Sequence, residues 1–383
     1  MSSTTRRTVR ATVTVFLAAI ATFVTTALPA HAQFDDQPAS AAWQPDGPVH
    51  AVVERAGVVY IGGPFTSLRN PSTGAVLPAE HLAALDAGTG EPVPGWSASA
   101  DADVRALAVS ADGARLLAGG AFVNVGGEVH RHLAALSTAD GSVISSWKPS
   151  ATGMVRDLLV VDDRLYVGGT FSSVEGSRQR GLAALVLSTG ERDPAFNAFT
   201  DKPVYGLTRV GQSLVAAGTF GTVNGLPRQS LAALDLTSGA LRPWAPSRVC
   251  GSCATYWDVA TDGRRVYVGT SGPGGWAGAY TLGLTRPRWV TQADGDVQAV
   301  TVAGGLLYLG GHFRQFNRQP RAQLAAVVPV TGAVDPGFAP EMKASYPGVW
   351  ALTASSDRLY AAGDFEGVVR RGRSPYFAVF PTS

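Results

Sequence analysis

The chain has 383 residues, of which 45 are Gly and 24 are Pro, while 16% are charged and 45% are hydrophobic, and the formal net charge is +2. This composition excludes a disordered chain, which needs low hydrophobicity and high net charge, and a coiled coil or helical bundle, which is poor in Gly. The length is compatible with two or three domains, but all-β folds of this size often form a single domain. The number of domains therefore has to be inferred from the internal repeats.

Residues 1–32 are predicted to be a cleaved export signal. Arg6, Arg7 and Arg10 precede an apolar stretch at residues 11–28, and a small-x-small motif places the cleavage site after Ala32. The alternative is an uncleaved membrane anchor, which the five Thr residues within the apolar stretch disfavour. The Arg pair weakly resembles a twin-arginine signal, so the export route, general secretory or twin-arginine, stays open.

The mature chain, residues 33–383, is predicted to be extracellular and nearly neutral. No later stretch is long and apolar enough to span a bilayer. Removal of three Arg and no acid changes the net charge from +2 to −1. A nearly neutral surface gives no electrostatic reason to expect binding to nucleic acid or to an anionic membrane.

A unit of about 50 residues repeats along the mature chain and is clearest at residues 204–246. Periods of this size are typical of stacked or radial repeats. A Phe marks every unit except the fifth, at Phe65, Phe122, Phe171, Phe220, Phe313 and Phe365. From each of the last five, a Leu-Ala-Ala-Leu segment or its degenerate form begins 11 positions on, at Leu133, Leu182, Leu231, Leu324 and Tyr376. One framework is therefore repeated.

Each unit is predicted to form four short antiparallel strands. The apolar runs are rich in Val, Leu and Tyr and are separated by Gly, Asp or Asn turns, which is typical of strands and not of helices. In the second unit the predicted strands are Val104–Val109, Arg115–Gly119, Leu133–Leu136 and Val143–Trp147. Four-stranded units at this period predict the blades of a β-propeller.

An aromatic residue that closes each unit gives the blade number. It occurs at Trp96, Trp147, Phe196, Trp244, Trp289 and Phe338. The last unit ends before reaching one, but Trp43 stands alone near the mature N-terminus. We therefore predict one all-β domain, a seven-bladed β-propeller with blades starting near 49, 104, 155, 204, 255, 297 and 349. Residues 41–46 are predicted to complete the last blade, which closes the ring and removes exposed sheet edges.

The repeated motifs also resemble known propeller families. The segment Ala217–Leu234, with its Val-Asn-Gly-x-x-Arg-x-x-Leu-Ala pattern, is similar to the delta-60 repeat of bacterial propellers. Leu85–Trp96 and Leu234–Trp244 look like the blade of quinoproteins. The resemblance to the delta-60 repeat implies a propeller architecture and export, and it implies no particular activity. The resemblance to quinoproteins implies a calcium-bound quinone, although quinoprotein dehydrogenases usually have eight blades.

The two cysteines, Cys250 and Cys253, are spaced C-x-x-C. In an exported protein this spacing favours a small disulfide that braces one loop. A redox dithiol is the alternative, but it normally lies at a helix N-terminus, and Pro246 and Gly251 indicate a loop instead. Four cysteine ligands for zinc are absent, and no metal site is predicted.

Two sets of residues near the first strand of each unit are candidate site residues, because this strand lines the channel of a propeller. The first set is a column of rim carboxylates, Asp46, Asp101, Asp201 and Asp294. The second set lies one position after the residue that opens the strand and comprises His50, Arg105, Arg156, Tyr205, Gln298 and Trp350. The second column varies between units, as expected of a surface that offers different groups to one ligand. The alternatives are that the aspartates accept hydrogen bonds from turn amides and that the varied column is a solvated wall.

No strong nucleophile, metal or phosphate motif occurs, so we predict a secreted, non-catalytic binding scaffold. Its expected partner is an extracellular glycan, peptide or protein, and it is expected to be a monomer. The competing hypothesis is a glycoside hydrolase or lyase that uses rim carboxylates such as Asp46 and Asp101 as acid and base. A quinone-dependent oxidoreductase is the third hypothesis. We predict no cofactor, with calcium or a quinone as the alternative.

Overall fold

The computed structural model describes residues 1, 34–39, 43–272, 274–343, 348–369 and 374–382. The chain divides into two units, Met1–Ala30 and His31–Ser383. The predicted signal and its cleavage site, apart from Met1, lie outside the described residues, so the description concerns the second unit. In the described part of the chain all regular structure is β-strand, and no helix could cross a membrane.

Seven sheets of the described chain share one antiparallel order of an inner, a middle and an outer strand, and we number them 1 to 7 along the chain. The inner strands are Ala51–Arg55, Val104–Val109, Val155–Val161, Val204–Val210, Tyr256–Thr261, Val297–Ala303 and Gly348–Ala354. The middle strands are Val58–Gly62, Arg115–Gly120, Arg164–Gly169, Ser213–Gly218, Arg265–Thr270, Leu306–Gly311 and Arg358–Asp364. The outer strands are Leu82–Asp86, Leu133–Ser137, Leu182–Val186, Leu231–Asp235, Trp276–Thr281, Leu324–Val327 and Phe377–Pro381.

The expected fourth strand is regular only in sheet 5, where Trp289–Gln292 pairs with the outer strand. In most other sheets the fourth segment makes a single bridge, as between Leu136 and Val143 or between Leu85 and Pro92. Proline lacks the N–H that continues a ladder, so segments such as that at Pro92 pair only briefly. The prediction of four full strands per unit is therefore corrected to three strands and a short fourth segment.

Short hairpins connect the middle and outer strands. Four of them are two-stranded: Asn124–Val125 with Glu128–Val129, Ser173–Val174 with Ser177–Arg178, Thr222–Val223 with Leu226–Pro227, and Gln315–Phe316 with Gln319–Pro320. In the first unit, Ser67–Arg69 pairs with both Val76–Pro78 and Gln44–Pro45. The hairpins lie at the end of each sheet where the inner strand begins, because backbone hydrogen bonds join them to the segment just before it, as between Asp101 and Asn124.

The paired glycines at the ends of the middle strands allow neighbouring backbones to approach closely. A Cβ at Gly119 would lie 2.4 Å from Cγ1 of Val155, which opens the inner strand of the next sheet. A Cβ at Gly120 would lie 2.3 Å from the carbonyl oxygen of Asp103 in its own sheet. Real Cβ atoms do not tolerate such distances. The missing side chain at Gly119 therefore leaves room for the neighbouring sheet, and that at Gly120 leaves room for the backbone at the start of the inner strand.

The core lies between adjacent sheets and not within one sheet. Its clusters are built from the apolar faces of successive sheets, and one of them joins Tyr360 and Ala362 of sheet 7 to Val49 and Ile61 of sheet 1. Each inner strand contacts the inner strand of the next sheet, and that of sheet 7 contacts that of sheet 1.

Three of the closing aromatic residues, Trp147, Trp244 and Trp289, link successive sheets by indole hydrogen bonds. Nε1 of Trp147 donates to the carbonyl of Leu187 at 2.9 Å, and Nε1 of Trp244 donates to that of Leu284 at 2.9 Å. Trp43 differs from these residues, because its Nε1 donates to the side-chain carboxylate of Glu91 at 2.5 Å.

The N-terminal segment lies beside the last sheet. Asp35 and Ala39 donate their backbone N–H groups to the carbonyls of Pro381 and Val379 at 2.7 and 2.8 Å. We expected residues 41–46 in this position, and residues 41 and 42 lie outside the described residues. The hydrogen bonds to sheet 7 come instead from the segment just before them, whereas Gln44–Pro45 pairs with the first hairpin.

Candidate functional site

A β-bulge near the start of the inner strand in sheets 2 to 7 directs one side chain out of the ladder. In sheet 3, Val155 pairs with Gly169 and Asp157 pairs with Gly168, so Arg156 between them has no partner residue. The same register shift leaves Arg105, Tyr205, Trp257, Gln298 and Trp350 as the extra residue in their strands. Bulges re-aim side chains in this way and are frequent beside binding sites.

These six side chains and that of His50, which lies just before the inner strand of sheet 1, come together where the inner strands of successive sheets contact one another. One cavity of about 70 Å³ is lined only by His50, Arg105, Arg156, Tyr205, Trp257, Gln298 and Trp350, which we call the channel ring. A second cavity, of about 180 Å³, is bounded by the same ring and by the next residues of the inner strands. The structure thus brings together all six residues of the varied column that the sequence singled out.

The seventh member, Trp257, is absent from the sequence-based set. The fifth unit lacks the Phe marker, and its inner strand opens with Tyr256 instead of Val, so the column was not extended to it. A signal was nonetheless present, because Tyr256-Trp257-Asp258 matches Val155-Arg156-Asp157 in position.

Four members of the channel ring form a continuous aromatic wall. The ring centroids of Tyr205 and Trp257 are 5.1 Å apart. Trp257 and Trp350 meet edge to face at 6.0 Å, and Trp350 and His50 do so at 6.0 Å. Aromatic pairs at these distances and angles stabilise one another, so the wall is preorganised.

The basic residues of the channel ring differ in whether a carboxylate lies beside them. His50 Nδ1 lies 2.9 Å from Asp103, and the Arg105 guanidinium forms an ion pair with the same carboxylate. Arg156 forms no ion pair among the described residues, and its Nε has no hydrogen-bond partner there. Its guanidinium carbon lies 5.6 Å from the centroid of the Tyr205 ring. Burial, and after it the nearby Arg105 cation, lowers the pKa of Arg156 below its ordinary value.

Two carboxyl groups lie in the second cavity, directly after ring residues. Asp157 accepts the N–H groups of Leu158 at 2.8 Å and of Leu207 in the next sheet at 2.6 Å. Asp258 accepts those of Val259 at 2.7 Å and of Val300 at 2.8 Å. Each carboxyl therefore joins two neighbouring inner strands at the bulge.

Enclosure by protein raises the pKa of both carboxyl groups. Burial, with the nearby Asp258 as a further cause, raises the pKa of Asp157 well above its ordinary value. Burial raises the pKa of Asp258 to about 7, because it outweighs the two N–H hydrogen bonds that favour the charged form. The sequence-based candidates do not include this pair, although a charged residue inside an apolar strand is itself a signal.

The rim carboxylates do not line either cavity of the channel, and each one caps a loop instead. Asp101 accepts the N–H groups of Val123 at 2.8 Å and of Asn124 at 3.0 Å. Asp46, Asp201 and Asp294 accept two backbone N–H groups each in the same way. Thr152 takes this position in the third unit through its Oγ1. The column therefore fits the alternative that its members hold turns.

Hydrogen bonding lowers the pKa of three rim carboxylates. Burial acts to raise the pKa of Asp46, Asp101 and Asp201, but the N–H groups that they accept outweigh it, so each lies below its ordinary value. A general acid near neutral pH needs the opposite shift. These groups therefore do not support the hydrolase hypothesis in the form that uses Asp46 and Asp101.

We expect Asp101→Ala to lower the free energy of unfolding by about 1–2 kcal/mol at pH 7, because two backbone N–H groups of the hairpin lose a charged acceptor. The pKa of Asp101 is depressed in the folded state, so its contribution is present above the unfolded-state pKa near 3.9 and disappears as the pH falls below the folded-state pKa. Urea unfolding at pH 7 and pH 3 should therefore show a smaller effect at pH 3. An equal effect at both values would contradict this role.

A repeated arginine and the two cysteines brace loops. Arg228 donates to the carbonyls of Pro227 at 2.7 Å and Arg242 at 3.1 Å, and Arg321 makes the equivalent pair of bonds. Arg228 and Arg321 each lie eight positions after the Phe of their unit, and Arg373, at the same distance from Phe365, lies outside the described residues. Cys250 and Cys253 are joined by a disulfide, with their Cα atoms 5.4 Å apart.

The donor groups of the channel do not fit a calcium-bound quinone. Calcium takes six to eight oxygen ligands, mostly carboxylates and carbonyls. Asp157 and Asp258 are each engaged by two N–H groups, and their raised pKa opposes the charged form that calcium requires. The described residues contain no group of three or more His, Cys, Asp and Glu side chains that could hold a metal.

Comparisons with known proteins identify the fold. No protein-family model and no curated protein sequence matches the chain. Solved structures match over nearly its whole length. The WD40 beta propeller domain of Doa1 has 10% identity and a TM-score of 0.60, covering 91% of this chain and 96% of that one. U3-55K has 12% identity and a TM-score of 0.58, covering 90% and 100%. The RRP9 WD40 repeats have 14% identity and a TM-score of 0.54, covering 90% and 99%. At these identities the likeness shows the architecture alone, and the described chain has the fold of a β-propeller.

Proposed function

We propose that this protein is a non-catalytic β-propeller that binds a ligand at the channel ring. The observation that carries the proposal is that sheets 1 to 7 each contribute one side chain to one small cavity, and that five residue types are represented among the seven. The framework around these positions repeats from sheet to sheet, whereas the ring itself varies. A rigid scaffold with varied groups converging on one cavity is the usual form of a ligand site.

We further propose that sheets 1 to 7 are the blades of a seven-bladed propeller closed by the N-terminal segment. The contact between the inner strands of sheets 7 and 1 supports this proposal, as do the hydrogen bonds from Asp35 and Ala39 to the last strand. Membership of the delta-60 or quinoprotein-type group remains a proposal that rests on the repeat motifs.

Export and an extracellular partner belong to the same proposal. They rest on the N-terminal Arg residues, the apolar stretch and the cleavage motif of residues 1–32. The partner would be a glycan, peptide or protein, and the matched propellers support a protein-binding role only through their shared architecture. We propose a monomer, which light scattering would test.

Binding by residues 33–383 to a panel of glycans, cell-wall fragments and peptides would test the proposed function. We expect a ligand whose affinity falls at least tenfold in Trp350→Ala, because the indole forms part of the aromatic wall. Trp276→Ala is a matched control, since Trp276 is also half-buried but lies on the outer strand of sheet 5. An equal loss in both variants, or no loss in either, would rule out the channel ring as the site.

A hydrolase is the second candidate, and the pKa of Asp258 favours it. A carboxyl group with a pKa of about 7 can donate a proton to a leaving group near neutral pH. Incubation with the polysaccharides of the panel should then release reducing ends, and Asp258→Asn should abolish that release. Release that is unchanged in Asp258→Asn would exclude this carboxyl as the acid.

A further inference from the structure

Three polar groups of the channel ring have no hydrogen-bond partner among the described residues. They are Nε of Arg156, Oε1 of Gln298 and the indole Nε1 of Trp350. The side chain of Gln298 belongs to a residue that is only 5% exposed, so water outside the channel does not satisfy it. Buried polar groups normally have partners, and leaving one unpaired costs free energy. Three such groups around one cavity are therefore free to bond to a ligand that enters it.

The charges around the ring indicate that this ligand carries a negative charge. Asp103 is already shared by His50 and Arg105. Asp157 and Asp258 each accept two backbone N–H groups. Arg156 forms no ion pair with any carboxylate of the described residues, and its guanidinium carbon lies 5.6 Å from the centroid of the Tyr205 ring. One unpaired guanidinium suits a single carboxylate, which accepts two parallel N–H bonds from it.

The other groups of the ring indicate what carries the carboxylate. The wall of Tyr205, Trp257, Trp350 and His50 offers apolar faces and edges to a compact ring. Oε1 of Gln298 needs a donor such as a hydroxyl group, and Nε1 of Trp350 needs an acceptor. A sugar supplies hydroxyl groups that both donate and accept, and its C–H face packs on aromatic rings. A cavity of about 180 Å³ limits the bound part to about one such ring.

We propose that the channel ring binds a carboxylate borne on a sugar ring, as in a uronic-acid residue. Arg156 pairs with the carboxylate, Gln298 accepts a hydroxyl hydrogen, and Trp350 donates to a ring or hydroxyl oxygen. This inference rests on the proposed function, and it adds the charge and the chemical class of the ligand.

The proposal makes a prediction that needs no ligand. Arg156 is a largely enclosed cation without an ion-pair partner among the described residues. Arg156→Gln should therefore leave the melting temperature of the free protein unchanged or raise it. Arg228→Gln is the matched control and should lower the melting temperature, because Arg228 holds two loop carbonyls. A lower melting temperature in Arg156→Gln would show a structural arginine and overturn the assignment.

Isothermal titration with glucuronic acid, glucuronamide and glucose tests the ligand class. We expect glucuronic acid to bind at least tenfold more tightly than the two neutral sugars, and Arg156→Gln to remove that advantage. Arg156→Lys should retain part of the advantage, since it keeps the charge and loses the paired donors. Arg228→Gln should bind all three sugars as the wild type does.

The contrary results separate this inference from the proposed function. If the neutral sugars bind as tightly as the acid and Trp350→Ala abolishes their binding, the channel ring is a ligand site and the carboxylate assignment is wrong. If an acetylated dipeptide with a free carboxylate binds more tightly than glucuronic acid, the sugar assignment is wrong. If no probe and no member of the wider panel binds in a way that Trp350→Ala weakens, both proposals fail.

Discussion

Raising the pH from 5 to 8 is expected to lower the free energy of unfolding, and Asp258→Asn is expected to remove much of that decrease. The pKa of Asp258 is about 7 in the folded protein because burial disfavours its charged form, whereas an unfolded Asp has a pKa near 3.9. Between these values the folded state binds more protons than the unfolded state, so stability falls as the pH rises, and the loss is complete above the folded-state pKa. At 1.36 kcal/mol per pKa unit, the full effect is at most about 4 kcal/mol.

Asp157 should also lower the free energy of unfolding as the pH rises, because its pKa is raised in the folded protein as well. The double variant Asp157→Asn/Asp258→Asn should therefore have a flatter stability profile than either single variant. Asp140→Asn serves as control, since Asp140 is exposed and its pKa is lowered by hydrogen bonds, chiefly from Ser142. Urea unfolding at pH 5, 6, 7 and 8 provides the measurement. If Asp258→Asn keeps the full wild-type slope, Asp258 is not the group that titrates.

Gly120→Ala is expected to destabilise the protein by about 3 kcal/mol or more, which is at the upper end for added atoms in a packed core. The new Cβ would lie 2.3 Å from the carbonyl oxygen of Asp103 and 3.0 Å from Cα of Val104. Both neighbours are backbone atoms at the bulge that aims Arg105 into the channel, so they cannot move aside as a flexible side chain does. The free energy of unfolding, measured with urea at pH 7, reports this effect.

Gly251→Ala is the control for this substitution. A Cβ at Gly251 would meet no atom within 4 Å. Its φ is not in the left-handed region, so an Ala there should be neutral or slightly stabilising through the unfolded state. A Gly120→Ala protein as stable as Gly251→Ala would mean that the glycine pairs do not set the approach of the strands.

The strands of the fold could be predicted because their sequence signals are local. The apolar runs and turn residues predict Val104–Val109 as the structure has it, and Leu133–Leu136 to within one residue. The repeat also identified the varied column, since framework positions recur identically and ring positions do not. The fourth segments were predicted too long, because most of them make a single bridge to the outer strand; in the first unit, Pro92 lacks the N–H that would continue the ladder.

The chemistry of the channel depends on tertiary contacts that no local pattern encodes. A one-residue bulge puts Arg156 into the channel and the next residue, Asp157, against the backbone of sheet 4. Simple alternation does not predict such a shift, so the buried pair Asp157 and Asp258 was missed while the loop-capping aspartates were chosen. The glycine at position 206, on the inner strand of sheet 4, also depends on this tertiary packing. A Cβ at Gly206 would lie 3.2 Å from Oδ1 of Asp258.

The most direct test of the central claim, that the channel ring is a ligand site, is to titrate one ligand into three proteins. The ligand that binds most tightly in the panel is titrated by calorimetry into the wild type, the ring variant Trp350→Ala and the rim variant Asp101→Asn. We predict that the ring variant binds at least tenfold more weakly and that the rim variant binds as the wild type does, because Asp101 only caps a loop. Wild-type affinity in Trp350→Ala together with a loss in Asp101→Asn would contradict the account and move the site to the rim.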